Sequence, residues 1–304
     1  MNSEIRQPGM DNEYYEFLPI KSRERLIWPG GAPIALCVIV NLEHYEWNLS
    51  KIENKPQSMP GFRASLPYPD IRNFSQREYG NRVGIFRVMG ILDKYNIKAT
   101  VAMDSTVAEN YPFLVEQCQK RDWEFIGHGQ TATRLITSAM TEEEEQSYIS
   151  NSINAIERVT SRRPIGWMGP SYSESTRTPK LLAAEGIRYV CDWPNDEQPY
   201  KMKVPTGEMH SLPILLDLDD FYMLWARTLP IMDYSRLLKD SFDRLYFDGK
   251  VSGRLMTLNL HPWLIGQPYR SKYLDEALSY ITGHSNIWKA TGAQIVDWYA
   301  KNGD

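Results

Sequence analysis

CVIVNLEHYEW, residues 37–47, is the stretch whose reading decides the fold. The apolar, β-branched run from Ile34 stops after Leu42, and Glu43, His44 and Glu46 follow at once. That pattern predicts a strand over 34–42 with polar chemistry at its C-terminal end. Side chains two apart on a strand share a face, so Asn41 and Glu43 point the same way while His44 and Glu46 fall on other faces, toward the surface.

Working outward, similar short apolar runs recur at 99–103, 124–127, 165–168, 188–191, 209–213 and 255–260. Segments of helical period separate them: 83–95, 140–160, 178–185, 235–246 and 273–282. Thr141 followed by Glu144 has capping-box spacing, which makes the acidic run there a solvated helix start. Strands alternating with helices predict an α/β fold with a mostly parallel sheet, and about seven strands suggest a barrel. Residues 48–81, rich in Pro, Asn, Ser and Gly, predict a long loop that helps to wall a site. One catalytic domain over 1–304, with an N-terminal extension over 1–27, is the expected organisation.

Composition narrows the function. The net charge of −4 has no long runs of one sign, so nucleic acid is not an expected partner. Cys37, Cys118 and Cys191 are scattered, as structural thiols in a reducing compartment would be. The opening residues are polar and acidic without the apolar core of a secretion signal, and no apolar run approaches a membrane span. A cytoplasmic protein without a membrane partner is expected.

The candidate chemistry sits at strand ends. His128 follows one strand, and His261 ends another in MTLNLHPW, where Pro262 stops the ladder. In α/β barrels that rim is where substrates bind, so His128, His261 and Glu43 are expected to converge there. In YVCDWPNDEQPY, residues 189–200, Asp192, Asn195 and Asp196 are candidates to orient a histidine or hold polar substrate atoms, with Trp193 as an apolar wall. GWMGPSYS, residues 166–173, resembles a nucleophile elbow but lacks GxSxG, which argues against a serine hydrolase. The doublet Asp219 and Asp220 reads as a solvated turn.

These motifs, in this order, resemble the polysaccharide deacetylase (NodB-homology) superfamily across about residues 28–299: NLE at 41–43, HGQTA at 128–132, GWMGPSY, CDW with Asn195 and Asp196, and LNLH ending at His261. WPGGAPIAL, DIRNFSQREYGNRVG and HPWLIGQPYR resemble the branch holding PuuE-type allantoinases, cyclic imide hydrolases and certain peptidoglycan-deacetylase-like bacterial proteins. The resemblance implies a deformed (β/α) barrel and hydrolysis of a non-peptide C–N bond in a small amide, cyclic amide, imide or ureide. It also implies a homo-oligomer, dimer or tetramer. Metal-dependent members use an aspartate and two histidines four residues apart; here the matching positions hold Glu43, His128 and Ala132. A zinc site normally wants three protein ligands, so no cofactor is expected, and a divalent metal, if bound, would rest on Glu43 and His128.

On that reading, Glu43 or His128 activates water, and His261, oriented by Asp192, protonates the leaving nitrogen. Asn41 donates to the oxyanion. Trp167, Tyr172, Trp193, Asn195 and Asp196 shape the pocket for a small-molecule substrate. Two other readings compete: a metal-dependent N-deacetylase acting on an N-acetylated sugar, and a non-catalytic small-molecule or carbohydrate-binding barrel.

Overall fold

The computed structural model describes residues 12–52 and 66–303. The first part of the expected N-terminal extension and residues 53–65 of the expected loop lie outside the described residues. Among those described, nine strands form one curled sheet: β1 Ile34–Leu42, β2 Thr100–Met103, β3 Glu124–Gly127, β4 Gly166–Trp167, β5 Tyr189–Val190, β6 Tyr200–Met202, β7 Met209–Ser211, β8 Arg254–Leu260 and β9 Ile287–Lys289. Their order is β6-β7-β5-β4-β3-β2-β1-β8, with β9 paired to the start of β1. Every pairing is parallel except β6 with β7, which makes the sheet a half-barrel.

The seven expected strands are all present, several shortened at their ends. Two were missed. Strand β6 lies in a stretch broken by Pro199 and alternating with lysines, and β9 is only IWK. Their partners on β7 and β1 make them strands, a tertiary effect that overrides a weak local pattern.

Strand β1 is buried on both faces, which is why its sequence is a nearly unbroken apolar run. Its even residues, Ile34 to Leu42, pack on the helical layer through Ile85, Val88, Met89 and Leu92. Its odd residues Ala35, Cys37 and Ile39 face the barrel interior together with Ala102, Ile126 and Leu255. The same period of two carries β8 inward through Leu255, Thr257 and Asn259 to His261. The three cysteines are free and buried, as expected of structural thiols.

The expected loop over 48–81 needs correction at its C-terminal end. A helix runs over Ile71–Tyr79, passes through a π-helical turn at Gly80–Gly84, and continues over Ile85–Lys94. Asp70 starts it by accepting a hydrogen bond from the Asn73 amide. Its polar composition hid the helical period. Two glycines allow it to lie against the turn after β8: a Cβ on Gly84 would stand 2.1 Å from the Pro262 carbonyl oxygen, and one on Gly80 2.6 Å from the Trp263 nitrogen. Helix and His261-bearing turn are therefore in backbone contact, which locks one wall of the site.

Candidate active site

The inward rows of β1, β3 and β8 end at the same rim, and there Asn41, Glu43, His128, Asn259 and His261 line one cavity of about 40 Å³. Tyr45, Met168, Gly169, Ser171, Tyr172, Asp219, Phe221 and Tyr222 complete its wall. A larger cavity of about 710 Å³ lies against the N-terminal segment and β6 and holds neither of these histidines. The acid–base groups identify the smaller one.

Glu43 and His128 form the first pair. His128 Nδ1 lies 2.6 Å from the Met168 carbonyl oxygen, so that nitrogen carries a proton and Nε2 is turned toward Glu43 Oε1 at 3.4 Å. Burial pushes the Glu43 carboxyl up, but the His128 hydrogen bond and the charges of His261, His128 and Arg77 outweigh it and hold the group below the usual range. At neutral pH Glu43 is a carboxylate.

His261 and Asp220 form the second. Asp220 is fully buried, and its Oδ1 is 2.6 Å from His261 Nδ1. Both of its oxygens also accept the His261 backbone N–H. Burial alone lowers the imidazole, yet the Asp220 carboxylate, aided by Glu43 and Asp219, raises it to about 9. Burial pushes Asp220 itself up to about 6 despite its imidazolium partner. Between these values the two groups form a buried ion pair, and His261 carries a proton on each nitrogen.

A third element is a hydrogen-bonded network behind the cavity. Tyr172 Oη donates to Asp219, and Asn259 Nδ2 donates to Tyr172 Oη at 2.7 Å and to Asp219 Oδ2 at 2.8 Å. Ser171 and Tyr172 both adopt left-handed backbone, with φ of 55° and 57°. Such conformations cost about 1 kcal/mol or more each in a non-glycine residue and gather at functional sites. The tight turn that imposes them aims Tyr172 into the cavity.

Several expected roles move. Asp192 does not touch His261; both its oxygens accept the Gly169 N–H, at 2.8 and 3.1 Å. It ends β5, next to β4 and far along the sheet from β8, so the acid beside His261 comes from the 219–220 doublet instead. That doublet is buried, not a solvated turn. Asn41 cannot serve as the oxyanion donor, because its amide hydrogens go to Asn259 Oδ1 at 2.7 Å and the Leu260 carbonyl at 3.0 Å. Trp167 faces outward and is fully buried against Gly127; its neighbour Met168 points inward, a parity of one residue.

Trp193, Asn195 and Asp196 also leave the site. Trp193 Nε1 bonds Glu174 and its ring meets Tyr14 and Tyr15, while Asn195 and Asp196 line the larger cavity, with Asp196 paired to Arg23. Tyr172 is the expected substrate-binding residue that does line the cavity. His44 is half-buried beside Phe74 and Tyr111. Residues the sequence reading missed are Asp220, Asp219, Asn259, Tyr45, Phe221 and Tyr222. Asn259 was legible, standing two residues before His261 on the same strand face.

The ligand set that metal-dependent members of the resembled superfamily use is incomplete here. Glu43 and His128 supply two ligand atoms, and Ala132 stands at the third matching position. Asp219, Asp220 and His261 bring ligand atoms within 4.8 Å of one another. Their acceptors are already taken: Asp219 Oδ1 receives the Phe221 and Tyr222 N–H groups, Oδ2 receives Tyr172 and Asn259, and Asp220 receives His261.

Residues 79–190 match the family model described as polysaccharide deacetylase. The structure is similar to that of PuuE allantoinase, at 25% identity and a TM-score of 0.82, covering 90% of this chain and 92% of that one. It is equally similar to a probable polysaccharide deacetylase from Pseudomonas aeruginosa, at 25% identity and a TM-score of 0.82, covering 90% and 93%. A curated relative, a putative polysaccharide deacetylase from Schizosaccharomyces pombe, is 24% identical over 90% of this chain and 93% of its own length. The fold is the deformed barrel that the motifs implied, shared with these two structures.

Proposed function

We propose that this NodB-type enzyme, a hydrolase of carbon–nitrogen bonds other than peptide bonds, opens a small cyclic amide, imide or ureide without a metal. The observation that carries the proposal is the pairing of a carboxylate kept ionised with an imidazole kept protonated across one small cavity. Environments that push two titratable groups apart in this way assign the base and the acid.

Glu43, steadied by His128, takes a proton from water as the water oxygen attacks the carbonyl carbon, and the carbonyl electron pair moves onto oxygen. When the tetrahedral carbon collapses, the C=O bond reforms and the C–N bond breaks. His261 Nε2 gives its proton to the departing nitrogen while Nδ1 stays bonded to Asp220. The proton on Glu43 restores the imidazolium, leaving a carboxylic acid and an amine or amide. Groups positioned for such transfers contribute on the order of a hundredfold to ten-thousandfold. Alanine at position 132, where metal-dependent members carry a histidine, and the hydrogen bonds already held by the Asp219 and Asp220 carboxylates support the metal-free route.

The test is turnover of allantoin, hydantoin, dihydrouracil and succinimide by the parent and by His261→Ala, with bound metal measured by elemental analysis. A fall of a hundredfold or more in kcat is expected; activity within tenfold of the parent removes His261 from the mechanism. Stoichiometric zinc or iron whose chelation abolishes turnover would overturn the metal-free route in favour of a metal-dependent deacetylase.

A further inference from the structure

Hydrolysis at this site leaves one group unaccounted for, the donor that holds the oxyanion, since the Asn41 amide hydrogens are committed elsewhere. The structure offers another. Arg77, on the helix over Ile71–Tyr79, is 4% exposed and sits in a cage of rings: its guanidinium carbon lies 3.7 Å from the centre of Trp263, 4.5 Å from Tyr45, 5.2 Å from Trp225 and 5.8 Å from Phe221. Its Nε has no hydrogen-bond partner, and among the described residues no carboxylate forms a salt bridge with it, although its charge lowers Glu43 from a distance. A buried, unpaired cation is costly, and rings recover only part of that cost.

Arg77 Nη1 donates to Tyr45 Oη at 3.2 Å. A guanidinium is donor-only, so the Tyr45 oxygen must accept, and its own hydrogen is turned away from Arg77. That hydrogen points to Glu43 Oε2, 3.5 Å away, a bond long enough to be exchanged for a better acceptor. Tyr45 lines the cavity, beside the carboxylate that activates water.

We infer that Tyr45 is a catalytic residue, the phenol that donates its hydrogen bond to the substrate oxyanion, and that Arg77 is the positioning residue that polarises and aims it. This rests on the hydrolase reading above. As negative charge gathers on the carbonyl oxygen, the Tyr45 hydrogen swings from Glu43 to that oxygen, while Arg77 keeps its bond to Oη and shares the charge. No proton leaves Tyr45. A donor of this kind is worth on the order of a hundredfold to a thousandfold in kcat.

The experiment compares the parent with Tyr45→Phe, Arg77→Met, Arg77→Lys and the Tyr45→Phe/Arg77→Met double variant on the four cyclic amides, with folding checked by circular dichroism and melting. Tyr45→Phe is expected to lose about a hundredfold in kcat with KM within about threefold. Arg77→Met should lose about tenfold, Arg77→Lys should recover part of that, and the double variant should be no slower than Tyr45→Phe alone, because Arg77 acts through Tyr45. Tyr45→Phe within threefold of the parent in kcat overturns the assignment of Tyr45, and additive losses in the double variant overturn the role of Arg77. If Arg77→Met fails to fold, Tyr45→Phe and Arg77→Lys decide. The two failures are distinguishable: a parent inactive on all four compounds sinks the hydrolase reading and the Tyr45 assignment with it, whereas an active parent matched by Tyr45→Phe overturns the Tyr45 assignment alone.

Discussion

Replacing Asp220 with Asn isolates the feature that makes His261 an acid. The substitution keeps an oxygen beside His261 Nδ1, now 2.6 Å from the carboxylate, and removes the charge. In the parent that charge, opposing burial, raises the imidazole from 6.5 to about 9. Each tenfold in a protonation equilibrium is worth about 1.4 kcal/mol, so the increase represents roughly 3 kcal/mol favouring the imidazolium. A raised histidine loses its proton as pH climbs through the folded value, so parent kcat/KM should hold steady through neutrality and fall above about pH 9. Without the carboxylate, burial remains and the limb should move to about 6.5 or lower. At pH 8 the protonated fraction would drop from about nine-tenths to about 3%, a loss of about thirtyfold in kcat/KM, while at pH 5.5 the variants should differ by only a few-fold. The assay is a pH–rate profile on whichever cyclic amide the parent turns over, with melting curves to show that the variant is folded. An alkaline limb that stays near pH 9 in the Asn variant would refute both the acid role of His261 and the assignment of Asp220 as its partner.

Other expectations follow from the walls of the site. Gly84→Ala puts a methyl group where the Pro262 carbonyl stands 2.1 Å away, so the turn bearing His261 must shift; kcat should fall at least tenfold, and a parent-like value would show that the helix does not set its position. Glu145 is fully buried and accepts from Ser175, Thr178 and Arg177, and Glu145→Ala strands those donors, which should cost about 3 kcal/mol in chemical denaturation. Glu43→Gln removes the base while leaving a hydrogen-bonding side chain, and should abolish turnover across the pH range; retained activity would transfer the base role to His128.

What could be read from the chain alone was whatever one strand writes into its own residues. The run before Glu43 and the LNLH before His261 each announce a buried strand by composition, and their period of two carries Asn41, Glu43, Asn259 and His261 to one face. The parallel half-barrel follows from such strands alternating with helices, and the capping box at Thr141 begins its helix where the spacing said it would. The helix over Ile71–Tyr79 was lost because it packs through Arg77 and two glycine contacts instead of through an apolar stripe. Trp167 was misplaced because a two-residue strand carries too little pattern to fix which of its residues faces inward.

The partners of the histidines belong to another class of fact. Asp192 and Asp220 look alike in sequence, each an acid just beyond an apolar run, and nothing local separates them. The order of strands separates them: it sets Asp192 against Gly169 at the end of β4 and leaves the 219–220 segment to close over the end of β8. Sequence therefore determined that Asn41, Glu43, His128 and His261, at the ends of β1, β3 and β8, reach the rim, because pleat and period act between neighbours in the chain. Tertiary structure alone decided which carboxylate meets which imidazole, because hydrogen bonds and charge act through space, across 41 residues in the case of Asp220 and His261.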